Sequence, residues 1–210
     1  MSSITFDLLH QLPKVELHCH LDGCLRPESI LDVALHDGVK LPSFDLTELT
    51  STLKIGKKRG SLVDYIERFD ITLSVMQTPE SLTRFSYELI EDVAQENVRY
   101  IEVRYSPILH QQKGMTLDMA VESVKKGLKK GEKKFGVKSG IIVCGIRHIS
   151  PAASLILAEL AVRFKNRGVV GFDLAGAEEN FPAKEHREAF YQIRNNNINS
   201  TIHAGEAFGP

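Results

Sequence analysis

Apolar positions along the 210 residues follow two alternating patterns. Short, nearly continuous runs rich in Val and Ile occur at 15–20, 99–105, 140–146, 169–174 and 200–203. Such runs predict parallel strands, because a strand covered on both faces has no polar side. Between them, apolar residues recur at helical spacing. Leu82, Phe85, Leu89 and Val93 follow Thr78-Pro79-Glu80, which sets an N-cap before a proline at the first helical position. Thr116 is placed to cap a helix whose inner face is Leu117, Val121, Val124 and Leu128. Ser150-Pro151 opens another, which Gly168 is placed to end. Pro182 opens a further one, with Phe190 and Ile193 on one face.

Residues 26–97 read as helical throughout, with no good strand. Ser61-Leu-Val-Asp64 resembles a capping box with Asp in the acidic position, and Leu62, Ile66, Phe69 and Leu73 then share a face. A helical insertion after a first strand predicts a lid over a site at that strand's carboxyl end. Strand–helix alternation predicts an α/β fold with a parallel sheet. Five strands would complete a doubly wound sheet. They would not complete an eight-stranded barrel, which takes about 250 residues. The sequence ends at Ala207-Phe208-Gly209-Pro210, directly after the fifth strand, which reads as a shortened chain.

Composition narrows the function classes. The chain is 42% hydrophobic and 25% charged, with a formal net charge of −1. No global field or basic stripe favours nucleic acid or an anionic membrane. No apolar run reaches the ~20 residues of a membrane span, and the N-terminus lacks the pattern of a signal peptide. The three cysteines, Cys19, Cys24 and Cys144, have no repeated spacing. They suggest no disulfide framework, and a reduced cytoplasmic protein is the simplest reading. The basic run Lys54-Ile-Gly-Lys-Lys-Arg59 reads as a solvated loop, with a phosphate site as the alternative.

Three constellations carry chemistry. In His18-Cys19-His20-Leu21-Asp22-Gly23, residues two apart on a strand project to the same face, so His18, His20 and Asp22 point together. Two imidazoles at a strand end can chelate a divalent metal, with zinc a natural candidate. In His203-Ala204-Gly205-Glu206, His203 offers a third nitrogen, and Glu206 sits just past the strand, placed to exchange protons with a substrate nitrogen. In Gly171-Phe172-Asp173-Leu174-Ala175-Gly176, Gly176 permits close approach of a ligand to backbone, and Asp173 is a mid-strand charge that would be costly unpaired. Each motif alone is compatible with ordinary structural roles. Together they lie at equivalent ends of successive strands, and in a parallel fold those ends converge on one crevice.

These segments resemble the adenosine deaminases of the metal-dependent amidohydrolase superfamily, the adenosine/AMP deaminase family. Pro13-Lys-Val-Glu-Leu-His-Cys-His-Leu-Asp-Gly23 is similar to the family's opening strand, and Tyr100-Ile-Glu-Val-Arg-Tyr-Ser-Pro107 to its second. Gly171 to Gly176 and Thr201-Ile-His-Ala-Gly-Glu206 resemble the fourth and fifth. The resemblance implies a (β/α)₈ TIM-type barrel, here about five βα units in one incomplete catalytic domain, 1–210, with 26–97 as a helical lid region. It implies one Zn2+ held by His18, His20 and His203. It implies Glu206 as the acid toward purine N1, Gly176 as a backbone donor to N3 and Asp22 as the partner of the ribose 5′-hydroxyl. Leu62, Tyr65, Ile66 and Phe69 match an apolar lid.

Ala177 departs from the acidic residue that many relatives carry after the glycine. The remaining family residues, a sixth-strand histidine and two aspartates near the eighth strand, fall beyond this sequence. The implied activity is hydrolysis of adenosine, and of 2′-deoxyadenosine, to the 6-oxopurine and ammonia. The alternatives are an adenine deaminase, against which Asp22 speaks, and a half barrel without catalysis of its own. The expected partner is a small-molecule purine nucleoside. Nothing in the sequence sets the oligomeric state.

Overall fold

The structure, a computed structural model, describes residues 4–54 and 68–207. Five parallel strands form one sheet: β1 (Lys14–His20), β2 (Val98–Tyr105), β3 (Lys138–Ile146), β4 (Val169–Ala175) and β5 (Asn199–Ser200). Their order is β1-β2-β3-β4-β5. A doubly wound sheet reverses direction from an inner strand. Unbroken sequential order is instead the wall of a singly wound barrel, which separates the two architectures that strand count alone left open. The ladder runs on past β5: the Thr201 N–H donates to Phe172 O at 2.9 Å and the His203 N–H to Leu174 O at 3.1 Å. The run at 200–203 thus behaves as the strand its composition predicts.

Eight α-helices are formed among the described residues: α1 (Phe6–Gln11), α2 (Pro27–Asp37), α3 (Leu46–Leu53), α4 (Phe69–Val75), α5 (Pro79–Gln95), α6 (Leu117–Phe135), α7 (Pro151–Arg163) and α8 (Arg187–Asn195). The expected caps are present. The Thr78 hydroxyl accepts from the Ser81 N–H, and the Ser81 hydroxyl reciprocates on the Thr78 N–H. Thr116 accepts from the Met119 N–H and Ser150 from the Ala153 N–H. Pro182 opens the last helical segment as a short 3₁₀ turn, Ala183–His186, that leads into α8.

Gly168 does not end α7. That helix stops at Arg163, and Phe164 buries its ring in the core, so the chain has turned before the glycine is reached. Gly168 instead sits at φ +118 in the turn into β4, where its carbonyl accepts from the Ile141 N–H at 2.9 Å.

Within 26–97 the described residues form α2 to α5 and no strand. The capping box at 61–64, the lid residues Leu62, Tyr65 and Ile66, and positions 55–59 of the basic run lie outside the described residues.

The core fills the space between the sheet and the helices α5 to α7, with Phe85, Ile101, Val103, Val124, Leu157 and Phe172 all buried. α5 and α6 pack so closely that a Cβ at Gly127 would overlap the Thr83 carbonyl oxygen. No helix among the described residues is long and apolar enough to cross a membrane.

Candidate active site

The sheet curls until the carboxyl ends of β1 and β5 face each other without being hydrogen-bonded as strands. His18 and His20 project from β1 and His203 from the extension of β5. Their Nε2 atoms form a triangle: 2.9 Å between His18 and His203, 3.0 Å between His20 and His203, and 3.2 Å between His18 and His20. Each residue offers one ligand atom to a common point. Tetrahedral zinc with Zn–N bonds of 2.0–2.1 Å needs ligands ~3.3 Å apart, so this donor set fits such an ion.

Protonation is consistent with that use. Burial, then His203 and His18, push the His20 imidazole down to about 4. Burial, then Arg104 and His203, lower His18. Both are neutral near pH 7, the form that binds metal.

Asp173 orients the third ligand. His203 Nδ1 lies 2.8 Å from Asp173 Oδ2, off the line of a straight hydrogen bond, so the contact acts as an ion–dipole restraint on the ring. Burial alone would raise the Asp173 carboxyl. Contacts with His203, Arg104 and Thr201 overcome this and hold it well below the usual carboxylate range. Arg104, fully buried, donates to Asp173 at 2.9 Å and to the Leu17 carbonyl at 2.8 Å. The Thr201 hydroxyl donates to Asp173 Oδ1 at 3.0 Å. Arg104 was legible in principle, since a guanidinium between Val103 and Tyr105 near the end of a strand predicted to be buried must be paired.

The triangle opens into a cavity of about 380 Å³. Its walls carry His18, His20, Asp22, Phe69, Gly176, His203 and Glu206, so every sequence-predicted site residue among those described meets in one place. Asp70, Leu73, Leu109, Ile146, His148 and Ala175 complete it. Mostly apolar walls with a few convergent polar groups suit a small organic ligand. A wider groove of about 810 Å³ runs between α5 and α6, far from the strand ends, and carries no such convergence.

Asp22 is buried, its Oδ1 accepts no protein hydrogen bond and lies 3.9 Å from His20 Nδ1, and burial raises its pKa to about 6. Gly176 has φ +95, and a Cβ there would press on His148 Nδ1 at 3.0 Å. Glu206 is exposed to the cavity. The turn that carries it is held by Glu178, which accepts from the Gly205 N–H at 3.1 Å and the Ala207 N–H at 2.8 Å. Arg147 donates to the His203 carbonyl and, at 3.0 Å, to that of Phe181.

A singly wound barrel wall with a histidine cluster at its strand ends is the plan of an amidohydrolase. The chain belongs to the adenosine deaminase family, whose sequence profile matches residues 13–210. It is 47% identical to adenosine deaminase of Mycobacterium ulcerans over 98% of this chain and 58% of that protein. Among solved structures, it is similar to adenine deaminase from Arthrobacter aurescens, with a TM-score of 0.81 and 27% identity over 93% of this chain and 58% of the other. An amidohydrolase from B. ambifaria, crystallised with bound zinc, shares the fold, with a TM-score of 0.84 and 24% identity over 97% and 56%. The chain therefore spans little more than half the length of these proteins.

Proposed function

We propose that the protein deaminates adenosine hydrolytically, water and adenosine giving inosine and ammonia, with 2′-deoxyadenosine as a second substrate. The observation that carries this reading is the cluster of three Nε2 atoms, 2.9–3.2 Å apart, opening into the cavity shared by Asp22, Gly176 and Glu206. His18, His20 and His203 would hold zinc. A bound zinc ion supplies hydroxide near neutral pH.

The chain's own residues do the rest. Glu206 delivers a proton to N1 of the purine, so that charge does not build up in the ring as C6 is attacked. The Gly176 N–H binds N3 and fixes the base against the wall. Asp22 binds the ribose 5′-hydroxyl. Phe69, with Leu62, Tyr65 and Ile66, covers the nucleoside and excludes water. Residues 1–210 form an incomplete part of one catalytic barrel domain, with 26–97 as its helical lid region, and the protein works in purine salvage in the cytoplasm.

An adenine deaminase is the second reading, favoured by the likeness to the Arthrobacter aurescens enzyme. Asp22 opposes it, because a buried carboxylate oxygen that accepts no protein hydrogen bond is suited to a sugar hydroxyl that adenine lacks. Residues 1–210 alone turn over no substrate, since the family's sixth-strand histidine and eighth-strand aspartates lie outside them.

The test is loss of adenosine absorbance in the purine band, run on the gene's complete product and on residues 1–210. Turnover of adenine but not adenosine by the complete product refutes the first reading. Turnover by residues 1–210 refutes the account of the fragment.

A further inference from the structure

Two of the three thiols lie together behind the metal-type cluster. Cys19 stands between His18 and His20 on β1, and Cys24 follows the 3₁₀ turn Leu21–Gly23. Their Sγ atoms are 3.3 Å apart, and both residues are half-buried, packed against the edge of the core. Neither has a role in the chemistry above. The third thiol, Cys144, is buried on β3 with its Sγ 3.7 Å from Asp173 Oδ2. The pair encloses His20, Leu21, Asp22 and Gly23, the segment that carries one metal-type ligand and the nucleoside carboxylate.

We propose that Cys19 and Cys24 form a reversible intramolecular disulfide on exposure to peroxide, and that this bond weakens metal binding at His18, His20 and His203. One thiolate attacks the peroxide oxygen, giving a sulfenic acid and, after protonation, water. The other thiol then attacks that sulfur, forming the S–S bond and releasing a second water. Peroxide is the oxidant throughout, and a small dithiol reverses the step. Bond formation takes the sulfurs from 3.3 Å to ~2.0 Å, a closure of roughly 1.3 Å beside both β1 ligands. A metal site tolerates ligand displacements of only about 0.2 Å, so the cluster opens.

The second half of the proposal rests on the zinc reading, and the experiment separates the two. The reduced chain is treated with hydrogen peroxide, alkylated under denaturing conditions and digested. The expected result is one peptide carrying both Cys19 and Cys24, lighter by two hydrogens and unalkylated, with Cys144 alkylated as in the untreated chain. Zn2+ affinity, followed with a competing chromogenic chelator, should fall at least about tenfold and return with dithiothreitol. Cys24→Ser should keep its affinity for Zn2+ through the same treatment.

Separate alkylation of Cys19 and Cys24 after peroxide, or a bond between two chains, would overturn the proposal. So would an intramolecular bond that leaves Zn2+ affinity unchanged. A reduced chain that takes up no Zn2+ would overturn the metal reading instead, with the thiol pairing decided by mass alone.

Discussion

Replacing Arg104 with methionine should unfold the chain more easily than any surface change, and the reason can be worked from its buried contacts. The guanidinium is buried with 2% of its side chain exposed, against a carboxylate with none. Methionine keeps much of the stem's volume but deletes the 2.9 Å bond to Asp173 and the 2.8 Å bond to the Leu17 carbonyl. Asp173 is then a buried carboxylate left with the Thr201 hydroxyl, a long contact from the Cys144 thiol and an off-line imidazole. Breaking a buried pair from one side costs about 3–5 kcal/mol, because the remaining charge has lost its compensation. Urea unfolding read by circular dichroism measures this directly. Asp173→Asn in the Arg104→Met background removes the orphaned charge. The double variant should therefore be less destabilised than the sum of the two singles, by at least about 1 kcal/mol. A loss under about 1 kcal/mol for Arg104→Met, or strict additivity of the two changes, would refute the view of Asp173 as a charge sustained by Arg104.

Glu206→Gln in the gene's complete product should keep its zinc and lose activity by about 10²–10⁴-fold, measured by adenosine absorbance and metal content. Asp22→Glu should cost roughly 1.5–3 kcal/mol in kcat/KM for adenosine and less for adenine; equal losses would free Asp22 of any part in reading the sugar. Gly127→Ala should destabilise by about 1–3 kcal/mol, since the new methyl meets the Thr83 carbonyl, and a melt that leaves Tm unchanged would contradict that packing. Buried His110, with Nδ1 2.9 Å from the Met76 carbonyl, is pushed down to about 4 by burial. It is neutral in both states above about pH 6.5, and below that the unfolded chain takes up a proton that the fold refuses. Its share of stability is therefore complete above pH 6.5 and falls by about 3 kcal/mol on acidification to pH 4. His110→Asn should flatten the slope between pH 6.5 and 5, read by urea unfolding at each pH.

The sequence made the metal-type cluster legible because its signal is local. Period-two geometry puts His18 and His20 on one face of a strand, His203 ends another, and in a parallel fold such strand ends converge on one crevice. The caps at Thr78, Thr116 and Ser150 were equally readable, each being a bond to a backbone N–H three residues ahead. Strand order was not readable, since the same βα alternation serves either winding. Gly168 failed as a helix stop because a tertiary event, the burial of Phe164, acts first. Glu178 and Arg147 were missed for the same kind of reason. Their partners, at 205, 207 and 203, lie more than 25 residues away and become neighbours only when β4 and β5 pair.

The longer-range contacts also explain how the cluster holds together. β1 and β5 are not joined by a strand ladder, yet His18 and His203 approach to 2.9 Å. Side chains from the strands between them bridge that seam. Arg104 of β2 reaches the Leu17 carbonyl on β1 with one nitrogen and, with another, Asp173 of β4, which itself restrains His203 and accepts from Thr201. Arg147, following β3, holds the His203 carbonyl from the other side. The same buried charges that set stability therefore set the spacing of the three imidazoles. It follows that a substitution at Arg104 should weaken Zn2+ binding by residues 1–210 even under conditions where the chain stays folded. Surface changes of equal or larger charge, such as Lys129→Glu on α6, should leave it untouched.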